Sequence, residues 1–410
     1  MARAVNFPVV GREGNVVRVQ GCPEGIGYKE GVPNYLILYS AQLRAPHTLY
    51  PIPFSPLKKK DFPNPISLHP REDPSTLQVK PLYTMNRITR VLMLLCGWVT
   101  LSGWGFFAHQ RINRLAVFTL PPPMVAFYKK HILFITEAAV NPDRRRYSVP
   151  DEAARHYIDL DHYGDSILAT MPRYWKDAVD EFTEDTLKSY GIVPWHVNTM
   201  YYRLRDAFLL RDPDRILKMS SEIGHYIADA NVPLHTTENY NGQLTGQDGI
   251  HGFWESRLPE LFSDQYDYFV GKATYLENPQ LVIWDGVAQA HQCVKAVLDE
   301  EKELAERFKE KKYSFETKGR QTVKVYSKEY SKAFHKILDG MVESRMRASI
   351  KMIGDFWYTA WIDAGQPDLN LLIDYKPSEE ELLLRRKELE EWKVKTFKAR
   401  EHHDSSEEAQ

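Results

Sequence analysis

Apolar residues recur at spacings of three and four through residues 112–120, 122–140, 173–190, 198–210, 213–231, 287–311 and 328–364, the period of one helix face. The pattern predicts a helix over each stretch. Strand-like alternation is scarce, no internal repeat is visible, and turn clusters such as "NYNGQLTGQDG" at 239–249 fall between the helical stretches. The pattern therefore predicts an all-α fold, a single multi-helix domain over residues 104–375. Beyond it, residues 376–410 mix dense charge of both signs with Leu382, Leu389 and Trp392, which predicts an exposed helix running into a charged tail.

The first hundred residues read differently. Residues 1–84 are rich in proline and have neither period, as in "PIPFSPLKKKDFPNPISLHPREDP" at 51–74, and are expected to be an upstream extension without a structural role. Residues 85–103 then follow the plan of a secretory signal peptide. Met85 precedes Arg87 and Arg90, an apolar run covers 91–101, and Ser102 and Gly103 are small residues at the cleavage point. The run is short of the roughly 20 residues of a bilayer span. The expectation is a start at Met85, cleavage after Gly103, and a secreted or periplasmic protein beginning at Trp104; a retained membrane anchor is the alternative.

Composition narrows the chemistry. A net charge of −2 gives no broad basic field for nucleic acid or anionic lipid, so a phosphate-bearing substrate would need cations placed locally. The three cysteines, Cys22, Cys96 and Cys293, form no CxxC metal pair, which leaves histidines and carboxylates to carry any metal site.

Those residues cluster. In "GHYIADANVPLH" (224–235), His225 and Asp229 are four apart and share a helix face, Pro233 turns the chain, and His235 follows. His251 and Glu255 in "HGFWES" repeat the spacing of four. Upstream, "NPDRRRYSVPDEAARHYIDLDHYGD" holds Asp143 and His156, with Asp159, Asp161 and His162 close behind. Any one of these is compatible with an exposed helix pair, a cap or a core histidine. Three histidines, an aspartate and a glutamate within 31 residues, at helix-compatible spacings, point to ligand duty. His196 in "VPWHV" is expected either to line the cleft or to cap the helix that follows it, with the cap favoured.

Taken in order, Trp104, His109, Asp143, His156, His225, Asp229, His235, His251 and Glu255 resemble the ligand series of the zinc-dependent phospholipase C and single-strand-specific zinc nuclease superfamily, over roughly residues 104–365. The resemblance implies an interhelical metal cleft with three zinc ions. Asp143, His156, His225 and Asp229 would hold one, the Trp104 backbone with His109 and Asp229 a second, and His235, His251 and Glu255 a third, with Asp229 bridging the first two. It also implies hydrolysis of phosphodiesters by a metal-activated water, with Asp143 and Asp229 as the catalytic carboxylates. A free amino group at Trp104 exists only after cleavage, so processing would complete the site.

The substrate stays open between single-stranded nucleic acid and phospholipid. The five-residue step from Trp104 to His109 resembles the nucleases, whereas Glu255 and the sixteen residues from His235 to His251 resemble phospholipase C. Tyr157, Tyr163, Phe253 and Trp254 could stack on bases or simply fill the core. A monomer without a stable protein partner is expected. The alternatives to an enzyme are a helical metal-binding protein that has lost catalysis and a membrane-anchored adaptor.

Overall fold

The computed structural model describes residues 106–400 apart from 165, 319, 320, 395 and 399. Trp104, the predicted signal peptide and the upstream extension lie outside the described residues. The described chain is mostly helical, as the periodicity predicts. Its principal helices are α1 (Phe106–Ala116), α2 (Pro122–Lys130), α3 (Ile132–Glu137), α4 (Trp175–Phe182), α5 (Glu184–Tyr190) and α6 (Val193–Leu210). They continue with α7 (Pro213–Ala230), α8 (Pro279–His291), α9 (Val294–Phe308), α10 (Lys328–Ile337), α11 (Met341–Asp363) and α12 (Glu379–Glu391). Among the described residues no helix is long and apolar enough to cross a membrane.

The centre of the fold is α7. Asp212 caps it by accepting from the Arg215 N–H at 3.1 Å, and Pro213 sits in its first turn, where a missing N–H costs nothing. From Ser220 to Ala230 every residue is buried, the signature of a helix enclosed on all faces. Around it pack α1, α6 and α11. Two close approaches make this possible. A Cβ on Gly224 would meet the Asn113 side chain at 2.1 Å, and one on Gly354 of α11 would meet Thr119 Oγ1 at 2.0 Å. Asn113 uses the proximity to donate to the Ser221 carbonyl at 2.8 Å. The aromatic rings of Trp357, Tyr128 and Phe356 fill the space between these helices, and Trp357 donates its indole N–H to the Ser220 carbonyl at 3.0 Å.

Several helices are shorter than the periodicity predicts. The stretch 122–140 breaks at His131, 173–190 at Thr183 (φ 68°), 287–311 at Gln292–Cys293, and 328–364 at Asp339 and Gly340 (φ 46° and 79°). Periodicity continues across such breaks because both halves present the same face to one core. In the other direction, α6 begins at Val193 rather than 198, since Pro194 occupies its first turn. A β-hairpin was not expected: β1 (Tyr313–Lys318) pairs antiparallel with β2 (Gln321–Tyr326), Tyr313 opposite Tyr326. Its Tyr326 ring stacks on Phe253 at 3.9 Å, which ties the hairpin to the core.

Candidate metal centre

Each candidate ligand is delivered by a different local device. His109 sits in the first turns of α1, and His225 and Asp229 lie one helical turn apart on α7. Asp143 is on the short helix Asn141–Arg145 and His156 ends the 3-10 turn Ala153–His156. After α7 the chain turns at Asn231, and Pro233 opens the 3-10 turn Pro233–Thr236 that carries His235. His251 and Glu255 fall on a turn of α-helix that widens into a π-helix at Phe253–Arg257, a form often found at functional sites.

These eight side chains converge. Among the described residues, three groups of donors stand within coordinating distance of one another: His109 with His225 and Asp229; Asp143 with His156 and His225; and His235 with His251 and Glu255. All are buried except Asp143, which is partly open. Around the second group, Asp229 Oδ2 lies 2.9 Å from His156 Nδ1 and 3.2 Å from His225 Nε2. Asp143 Oδ1 lies 3.6 and 3.5 Å from the same two nitrogens, which are 3.0 Å apart. Four donors about 2.1 Å from a common centre at tetrahedral angles would stand about 3.4 Å apart. The spacing fits.

The remaining oxygens point elsewhere. Asp229 Oδ1 faces His109 Nε2 at 3.3 Å and accepts no hydrogen bond, so the two oxygens of this carboxylate serve different donor sets. Glu255 divides in the same way, with Oε1 at 2.9 Å from His109 Nε2 and Oε2 at 3.3 and 2.9 Å from the Nε2 atoms of His235 and His251. His109 thus lies between Asp229 and Glu255, a closer link to the third group than the ligand series implied.

Proton bookkeeping favours a cation at Glu255. His235 Nδ1 donates to the His156 carbonyl at 2.6 Å and His251 Nδ1 to the Tyr240 carbonyl at 3.2 Å. A carbonyl only accepts, so in the neutral ring each Nε2 presents a lone pair, and both lone pairs are aimed at the same Glu255 oxygen. His156 Nδ1 and His225 Nε2 can share one proton as an ordinary hydrogen bond at 3.0 Å, so the conflict lies on the Glu255 side. A cation there removes the conflict, and imidazole nitrogen with carboxylate oxygen suits a borderline divalent ion.

The field agrees. Burial pushes the Asp229 carboxyl up, yet His225, His235 and His156 outweigh it and hold it well below the usual range. Glu255 is held low against its burial by His235, His109 and His251. Burial would lower the His225 imidazole, but Asp229 and Asp143 lift it to about 10. In His156, burial and the Arg146 charge prevail and lower it.

Sequence reasoning overlooked the supporting layer. Glu152, four residues before His156 and fully buried, lies 3.8 Å from His156 Nε2 and pairs with Arg145 at 3.0 Å, while the Tyr226 hydroxyl donates to it. The four-residue spacing from Glu152 to His156 was the available signal. Arg145 also grips Glu222 at 2.8 Å.

Other candidates fall outside the cluster. Asp159 pairs with Arg400 at 2.6 Å, Asp161 accepts from the Thr237 hydroxyl at 2.6 Å, and His162 stacks on Tyr190. His196 does not cap a helix. It lies inside α6, buried edge-on against Tyr226 at 4.5 Å, because Pro194 starts that helix earlier than predicted. Phe253 and Trp254 are core residues, and Tyr163 packs on Phe182, whereas Tyr157 meets Arg400.

The chain matches no protein-family model and no curated protein.

Proposed function

We propose that the protein is a zinc-dependent phosphodiester hydrolase of the nuclease or phospholipase C type, exported and processed to begin at Trp104. The observation that carries this reading is the joining of three buried donor groups through two carboxylates, Asp229 and Glu255, whose oxygens face different imidazoles. His156, His225, Asp143 and Asp229 would hold one ion, His109 and Asp229 with the Trp104 backbone a second, and His235, His251 and Glu255 a third. When bound, such ions supply Lewis acidity, an activated water and neutralisation of the charge that develops on phosphate.

The chain's own residues do the positioning. Asp229 fixes the spacing between the first two donor groups through its two oxygens. Asp143 has the most open carboxylate of the set, with 8% of its side chain exposed, and is suited to accept the hydrogen bond of an incoming water. The His156 and Tyr240 carbonyls orient the His235 and His251 rings, so that their Nε2 atoms are presented inward.

The test is hydrolysis of bis(p-nitrophenyl) phosphate, single-stranded DNA, RNA and phosphatidylcholine by protein beginning at Trp104. Turnover of at least one, abolished by chelator and restored by zinc, is the expected result. Three bound zinc ions with no turnover of any substrate would leave a metal-binding protein without catalysis. A second arm addresses processing: one residue added before Trp104 should lower zinc content and rate together. An unchanged zinc content would remove the amino terminus from the ligand set.

A further inference from the structure

The charged C-terminus does not end as a loose tail. α12 opens with a capping box between Ser378 and Glu381, and the described residues beyond it return to Arg146, beside the candidate ligand Asp143. Ser148 Oγ bonds the Trp392 and Val394 carbonyls at 2.9 and 2.8 Å, and the Tyr147 carbonyl accepts from the Thr396 and Phe397 N–H groups, each at 2.9 Å. Arg146, itself 3.7 Å from the candidate ligand Asp143, donates through Nε to the Arg400 carbonyl at 3.1 Å.

Arg400 finishes the crossing. Its guanidinium lies 4.1 Å from the Tyr157 ring centroid and 3.7 Å from that of Tyr240, pairs with Asp159 at 2.6 Å, and donates to the Thr237 carbonyl at 3.0 Å. Tyr157 follows the donor His156 in sequence, and the Tyr240 carbonyl accepts from the donor His251. A flat cation held against two tyrosine rings occupies a slot that accepts any flat group of similar thickness.

We propose that the described residues after α12, 392–394, 396–398 and 400, form an autoinhibitory strap, with the Arg400 guanidinium filling a slot beside the candidate metal cluster that a planar portion of the substrate must share. The inference rests on the reading of that cluster as the reaction centre. The strap's attachment suits displacement. α12 buries no residue, and its ties to the domain are side-chain pairs such as Lys218 with Glu388 at 3.3 Å and Arg385 with Asp214. Partly exposed pairs at a surface contribute little, and fully exposed ones about 0–1 kcal/mol each. Beyond α12 the Ser148, Tyr147 and Arg146 bonds also hold the segment, but Arg400 alone sits against the tyrosines, so a ligand that replaces it there would loosen the end of the segment.

The experiment compares three zinc-loaded proteins: the chain through Gln410, a chain ending at Glu391, and Arg400→Ala. The probe is diphenylphosphinate, which has two flat rings on a phosphorus anion and no ester to cleave, and binding is read by calorimetry. The shortened chain and R400A should each bind it at least five-fold more tightly than the full chain. Equal affinity in all three, or no binding in any, overturns the strap. If the shortened chain fails to show a cooperative melt, R400A against the full chain decides alone. Hydrolysis of bis(p-nitrophenyl) phosphate by the same proteins separates the two proposals. Tighter binding with faster turnover supports both proposals, tighter binding without turnover ends the enzyme reading and with it the autoinhibitory role, and turnover that is equal across the three proteins with equal binding ends the strap alone.

Discussion

Asp229 is the residue on which two donor sets depend, because Oδ2 faces His156 and His225 while Oδ1 faces His109. Asp229→Asn should lower zinc content by more than one ion per chain, measured by plasma mass spectrometry on dialysed protein; a loss confined to one ion contradicts bridging. Glu152 stands 3.8 Å from His156 Nε2, the ring nitrogen away from Asp143 and Asp229, and is placed to orient that imidazole should His156 bind an ion. Removing a partner that orients a metal-ligating imidazole typically weakens metal affinity by about 10–100-fold. Glu152→Gln should therefore shift a competition titration with a chromophoric chelator by about ten-fold or more, and an unshifted titration would reduce Glu152 to a structural partner of Arg145. At this scale the sequence was informative where spacing is local. His225 with Asp229, and His251 with Glu255, are four residues apart and share a helix face whatever the rest of the chain does. His196 was misjudged as a cap because Pro194, a local helix-start signal, was not used, while its buried contact with Tyr226, 30 residues away, leaves no local trace.

At the scale of elements, the distance between α1 and α7 controls whether His109 reaches Asp229. Gly224 sets that distance, since a methyl group there would collide with Asn113. Overpacking of this kind typically costs about 1–3 kcal/mol. Gly224→Ala should lower the melting temperature and weaken zinc binding, and adding Asn113→Ala, which removes the clashing atoms, should restore part of both. A G224A protein that melts like the parent would show that the two helices are not held at contact distance by this glycine. The helix count was harder to read than the helical class. The breaks at Thr183 and Asp339 rest on positive φ at residues other than glycine, a conformation that tertiary packing imposes and that sequence does not announce. The hairpin was missed because its two six-residue strands are short and lie among charged residues, and the Phe253 ring that Tyr326 covers is distant in sequence.

For the whole molecule, binding of ions to the folded state alone links metal content to stability. A site filled at 100 times its dissociation constant adds about 2.7 kcal/mol. Chelator should therefore lower the calorimetric melting temperature by roughly 5 °C or more, and zinc should restore it; an unchanged melt with the metal demonstrably gone would place the cluster outside the folding energetics. Under the proposed function, a chain of net charge −2 would meet an anionic substrate with positive charge brought by ions at Asp229 and Glu255 rather than by a broad basic surface. By itself the sequence determined the helical class and the pairing of His225 with Asp229 and of His251 with Glu255, because apolar periodicity and four-residue spacing are properties of a single helix. Only the tertiary structure decided that Glu255 turns one oxygen to His109, 146 residues away, and that Arg400 returns across 241 residues to Asp159. Such contacts follow from how separate helices pack, and no local pattern encodes which of many compatible surfaces will meet.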